Sequence, residues 1–261
     1  MKRTTLWDLG LPLHQPLIVG HRGACGYAPE NTLPSLELAV AQSVDMIEFD
    51  VHLTRDGELL ASHDPHLNRT AGFPFLIEQT ESDFLRRFNV AAHFDTTYPE
   101  TPMPRLEEAF DAIPASLPVN VELKCLHADH ANYVEILKKK LHRERLLVSS
   151  FDWTLLKLTR ARLPELAMSP LADRNANDLP EIAEELRATS AHCNHETITA
   201  PIVEKLRARD IPVLVYTVND LEVAREMFAM GVSGVFTNFP ADFIRHFRAD
   251  NAALATTRRD S

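Results

Sequence analysis

His21, Arg22, Glu48, Asp50, His63, Asp64, Glu122 and Lys124 are the residues whose types and spacing could do chemistry. Each lies at or near the carboxyl end of a short apolar run. His21-Arg22-Gly23 follows Leu17-Ile18-Val19-Gly20, and Glu48 and Asp50 interrupt the series Met46, Ile47, Phe49, Val51, Leu53. His63-Asp64 ends a returning run over 58–62, and Glu122 and Lys124 close another over 118–123. Side chains alternate along a strand, so Glu48 shares a face with Asp50, and Glu122 with Lys124. Three carboxylates in apolar surroundings repel one another unless a cation neutralises them. Oxygen donors of this kind suit a hard divalent ion, Mg2+ or Ca2+. Arg22 and Lys124 add donors for a phosphate. His21 and His63 titrate near neutrality, as acid–base cleavage requires. Together these groups describe phosphodiester hydrolysis.

Bringing them together calls for parallel strands. Eight main apolar runs, over 17–20, 46–53, 118–123, 146–150, 165–169, 190–193, 211–218 and 234–237, set the strand pattern. Helical patterns alternate with them over 32–43, 132–141, 154–162, 179–187, 201–209, 221–229 and 241–247. Such alternation predicts a parallel sheet with crossover helices. Eight units in 261 residues predict an α/β fold of the (β/α)8 TIM type rather than an open sheet. In such a barrel the polar strand ends meet at one rim. The stretch 65–104 breaks the rhythm and predicts a small insertion after the second strand. The chain, 1–261, reads as one domain with a frayed tail over about 250–261.

Composition narrows the partners. With 27 basic against 37 acidic residues the net charge is −10, which argues against nucleic acid and against stable membrane association. No run of about 18 apolar residues spans a bilayer, and Asp8, His14 and Gln15 interrupt any signal-like start, so the expected location is cytoplasmic. Cys25, Cys125 and Cys193 are too few and too scattered for a disulfide framework. Monomer and homo-oligomer both remain open.

The ordered motifs resemble a known family. His21-Arg22-Gly23, Ala28-Pro29-Glu30-Asn31-Thr32, Glu48-Phe49-Asp50-Val51, His63-Asp64 and Glu122-Leu123-Lys124 are similar to the signature of glycerophosphodiester phosphodiesterases. Leu67-Asn68-Arg69-Thr70, Ser149-Ser150-Phe151, Val215-Tyr216-Thr217-Val218-Asn219 and Gly234-Val235-Phe236-Thr237-Asn238 extend the likeness across roughly 17–245, with the spacing of the compact bacterial cytosolic enzymes. The resemblance implies hydrolysis of small-molecule glycerophosphodiesters to sn-glycerol 3-phosphate and an alcohol. It implies a divalent metal on Glu48, Asp50 and Glu122, an acid–base pair in His21 and His63, and phosphate held by Arg22 and Lys124. Tyr216 stands where Trp is frequent in the family, and Asn238 where Asp is frequent.

Other readings stay beside these. Asp64 is either a metal ligand or the group that orients His63. Phe151 and Tyr216 wall the substrate pocket or belong to the core, and His192 reaches the substrate or is a hydrogen-bonded structural histidine. Glu30 and Asn31 read as loop-fixing and helix-capping residues. A phospholipase-type barrel acting on intact phospholipid and a non-catalytic phosphodiester-binding regulator are the rival functions.

Overall fold

The computed structural model describes residues 3–257 except 13, 96 and 128, with side chains described through residue 248. In chain order the elements are β1 (Leu17–Gly20), α1 (Leu33–Ala41), β2 (Met46–Leu53), β3 (Leu59–Ala61), α2 (Asn68–Ala71) and α3 (Ser82–Leu85). They continue with α4 (Leu106–Ala112), β4 (Val119–Lys124), α5 (His130–Lys140), β5 (Leu146–Ser150), α6 (Trp153–Arg162), β6 (Ala167–Ala172) and α7 (Leu179–Glu185). The chain ends with β7 (Ala191–Asn194), α8 (Ala200–Arg207), β8 (Val213–Tyr216), α9 (Leu221–Met230), β9 (Gly234–Thr237) and α10 (Pro240–Thr257).

The strands follow the order β1-β9-β8-β7-β6-β5-β4-β2, and the pairing of β1 with β2 closes the ring. Apart from the antiparallel β2–β3 hairpin the pairings are parallel. This is the expected eight-stranded parallel barrel. Its strands are buried on both faces because helices cover the outside and side chains fill the inside. In β2, Ile47, Phe49 and Val51 join the layer packed against the helices, so Glu48, Asp50 and His52 face inward.

Several boundaries moved. β6 runs on to Ala172 through Pro170, whereas the sequence pattern stops at Ser169, before the residue type least expected inside a paired strand. β8 is shorter than the run over 211–218. Helix α4 escaped the sequence reading; it opens with a capping box in which Glu108 accepts the Arg105 backbone N–H at 2.8 Å. The insertion holds α2, a 3-10 turn over Ile77–Gln79 and α3 around their own small core of Leu60, Leu67, Ile77, Leu85, Val90 and Met103. Helix α10 reaches Thr257; residues 258–261 of the expected tail lie outside the described residues.

The amino-terminal segment has a task its sequence did not suggest. Leu6, Leu9 and Leu11 are buried against Leu17, Val19, Met46, Leu147, Leu214 and Phe236, sealing the amino-terminal end of the barrel. Leu6→Ala is expected to cost ~2–5 kcal/mol through the cavity it leaves. Urea denaturation checks this, and an unchanged midpoint would show that the segment does not seal the core.

Candidate active site

Strand register builds the acidic centre. Asp50 on β2 stands opposite Glu122 on β4, with Glu48 opposite Asn120 and His52 opposite Lys124. One oxygen from each of Glu48, Asp50 and Glu122 falls within 4.8 Å of the others, and all three residues are buried. Burial, together with the charges of Asp50 and Glu122, raises the Glu48 carboxyl well above its usual range. Burial likewise lifts Glu122 to about 7, against the pull of Lys124. Burial would lift Asp50 too, but Lys124 and Arg22 hold it below the carboxylate range. The Lys124 ammonium lies 3.0 Å from Asp50 Oδ1 and also contacts Glu122. Glu48 Oε1 is buried without a hydrogen-bond partner among the described residues. A crowded carboxylate set with one unsatisfied buried oxygen fits a hard divalent ion.

The His21-Arg22-Gly23 turn depends on backbone that few residues accept. Arg22 has φ 51° and Gly23 φ 82°, and a Cβ at Gly23 would meet the Ser35 carbonyl at 2.5 Å. The turn lets Glu48 Oε2 accept the Arg22 backbone N–H at 2.8 Å. Asn31, also at positive φ, donates to Asp50 Oδ2 at 2.9 Å and accepts the Asp50 N–H at 3.1 Å. The sequence reading made Asn31 a cap; in the structure it holds the central carboxylate.

Each imidazole is backed by one partner. His21 Nδ1–H donates to Asn238 Oδ1 at 2.7 Å, which leaves Nε2 with its lone pair. Burial, then the Arg22 charge, lowers His21 to about 4. His63 Nδ1 pairs with Asp64 Oδ1 at 2.7 Å, and burial lowers this histidine as well. Asp64 lies outside the carboxylate cluster and serves His63. Arg69, from the insertion, then ties the supports together. It bonds Asp64 at 2.7 Å and both Glu30 oxygens at 2.7 and 2.8 Å, while Glu30 holds Arg22 at 3.0 Å. Arg69→Ala is therefore expected to lower kcat by ~10-fold or more, since His63 and Arg22 lose their alignment together. Steady-state kinetics with circular dichroism checks this; wild-type kcat would rule the clamp out.

His21, Arg22, Glu48, His63, Glu122, Lys124, Phe151 and Tyr216 line one cavity of about 90 Å³. Phe151 lies 5.6 Å from the Lys124 ammonium, and Tyr216 donates to the Ala172 carbonyl at 2.7 Å. His192 is not in that lining. It is fully buried, bonds Ser190 Oγ at 3.0 Å and packs edge-on against Phe236 at 4.9 Å. Of its two sequence readings the hydrogen-bonded structural histidine fits, and the pocket reading does not, because β7 ends at Asn194, one residue beyond the expected run and two beyond His192. Asn120, Leu171, Thr217 and Phe236 complete the lining and were missed. Asn120 was within reach, since period two places it on the face of Glu122 and Lys124.

Comparison with known proteins bears on this geometry. The glycerophosphoryl diester phosphodiesterase family model matches residues 21–242. The chain belongs to this family. A glycerophosphodiester phosphodiesterase of Bacillus altitudinis is 30% identical over 231 residues, covering 85% of this chain and 94% of the relative. A human lysophospholipase D is 24% identical, over 88% of this chain and 87% of the relative. Among solved structures, an Oleispira antarctica phosphodiesterase in complex with the product sn-glycerol-3-phosphate is 28% identical. It superimposes with a TM-score of 0.82 over 92% of this chain and 97% of that one. The family match spans every sequence-derived catalytic, phosphate and metal position of this phosphodiesterase, from His21 to Lys124.

Proposed function

We propose that this phosphodiesterase acts as a single catalytic domain on soluble glycerophosphodiesters, releasing sn-glycerol 3-phosphate and an alcohol through a bound divalent ion and the His21–His63 pair. The observation that carries the reading is one small cavity lined by Glu48, Glu122, two imidazoles and two cations, with an Asp50 oxygen within 4.8 Å of both acids. The product complex of the Oleispira relative supports it.

Glu48, Asp50 and Glu122 would hold Mg2+ or Ca2+, with Asn31 orienting Asp50. An ion there would neutralise phosphate charge and favour reaction of the phosphate with a nucleophile. Arg22 and Lys124 bind and orient the phosphate oxygens. His21, kept neutral by burial and backed by a neutral amide, takes the proton of the attacking hydroxyl on Nε2. His63, backed by the Asp64 carboxylate, is the better proton carrier and protonates the leaving oxygen. The new P–O bond forms as the P–O bond to the alcohol breaks, and one water is consumed overall, its oxygen ending on the phosphate and a proton on the released alcohol.

The cavity is small, about 90 Å³, which supports a glycerol moiety over an acyl chain as its occupant. Leu171, Tyr216 and Phe236 wall it. Lysophospholipid and intact phospholipid are therefore poor substrates in this reading. Among the described residues no helix is long and apolar enough to cross a membrane. The net charge of −10 supports soluble diesters over an anionic bilayer surface.

The deciding experiment incubates the protein with glycerophosphocholine, glycerophosphoethanolamine, lysophosphatidylcholine and phosphatidylcholine, with Mg2+, Ca2+ or chelator. Metal-dependent release of sn-glycerol 3-phosphate from the soluble diesters is expected. Turnover of the lipids alone would favour the phospholipase reading, and no turnover at all a binding role.

A further inference from the structure

A second cavity, of about 190 Å³, meets the first at His63, Glu122, Lys124 and Phe151. A diester whose phosphate sits at that junction has its glycerol in the small cavity and its other alcohol in the second. Pro65, Leu123 and Leu126 give the second cavity apolar walls, and Leu126 and Phe151 stay exposed there despite their apolar character. Its charged groups are already balanced. Lys124 is paired with Asp50 and Glu122, and Asp152 with His130 at 2.7 Å.

One buried polar atom of its lining has no partner among the described residues. His52 lines this cavity, is 3% exposed, and faces inward beside Lys124 on the neighbouring strand. Its Nε2 lies 3.2 Å from the His63 carbonyl, which can only accept, so Nε2 carries the hydrogen. Nδ1 is then an acceptor, buried and without a partner among the described residues. A buried acceptor left unpaired is costly, and a ligand that brings a donor removes the cost.

Resting on the function above, we propose that this cavity is the subsite for the leaving alcohol. It takes a compact alcohol carrying its own N–H or O–H donor, and His52 is the residue that selects it. Ethanolamine and glycerol meet the requirement, whereas quaternary choline, with no donor, does not.

Glycerophosphoethanolamine and glycerophosphocholine form a suitable test pair, because both head groups are cations and differ in the donor. With metal saturating, kcat/KM is expected to favour the ethanolamine diester by about tenfold. His52→Ala is expected to bring that ratio close to one by slowing the ethanolamine diester alone. His52→Asn, whose amide oxygen falls near the position of Nδ1, is expected to restore it. A purely structural role for His52 would slow both substrates together. Equal kcat/KM for the two diesters in the wild type, or a ratio that survives His52→Ala, would overturn the assignment. Metal-independent silence toward both would instead remove the hydrolytic reading beneath it.

Discussion

Replacing His21 or His63 by Ala lowers kcat by ~10²–10⁴-fold while KM changes far less, because each imidazole moves a proton and neither holds the phosphate. The two are distinguishable by what backs them. His21 leans on the Asn238 amide and is lowered to about 4, so it is neutral through the physiological range and free to accept a proton. kcat/KM is expected to fall as the pH drops toward that value, where the base becomes protonated. Asn238→Asp, which places a charge behind the same Nδ1, favours the imidazolium and moves that fall to higher pH. His63 leans on Asp64, which favours a proton on the ring. With a p-nitrophenyl diester the leaving group needs no acid, so His63→Ala is largely rescued and His21→Ala is not. Rescue of the His21 variant instead would exchange the roles, and near-wild-type kcat in both would end the two-histidine mechanism.

The second large effect belongs to the carboxylates. Glu48→Gln, Asp50→Asn and Glu122→Gln each remove a charged oxygen ligand and are expected to weaken divalent-ion binding by ~100-fold or more, with activity lost in parallel. Asn31→Ala, which loosens Asp50 without removing a ligand, belongs nearer ~10-fold. Burial and repulsion raise the Glu48 and Glu122 carboxyls, so the metal-free centre retains protons that the ion displaces. Calorimetric titration in buffers of different ionisation enthalpy reads that release directly. Unchanged affinity in all three ligand variants would place the ion elsewhere.

Local pattern alone carried much of this protein. The alternation of Ile47, Phe49 and Val51 with Glu48 and Asp50 marks a strand buried on both faces, and it puts the acids on the inner one. Eight repeats of strand and helix within 261 residues then imply the barrel rather than an open sheet. Nearest-neighbour patterning could not supply register, since sliding a strand by two residues leaves its faces unchanged. Only the folded barrel sets Asp50 against Glu122 and Lys124 beside His52. The same holds for supports that are distant in sequence. Asn238 reaches His21 from the last strand's end, and Arg69 joins Asp64 to Glu30 from an insertion with no periodicity to read. His192 shows the limit from the other side: its residue type suggested chemistry, but its full burial against Ser190 and Phe236 keeps it out of the pocket lining. Residue type and spacing determined which chemistry is present; long-range register and burial decided which atoms meet to perform it.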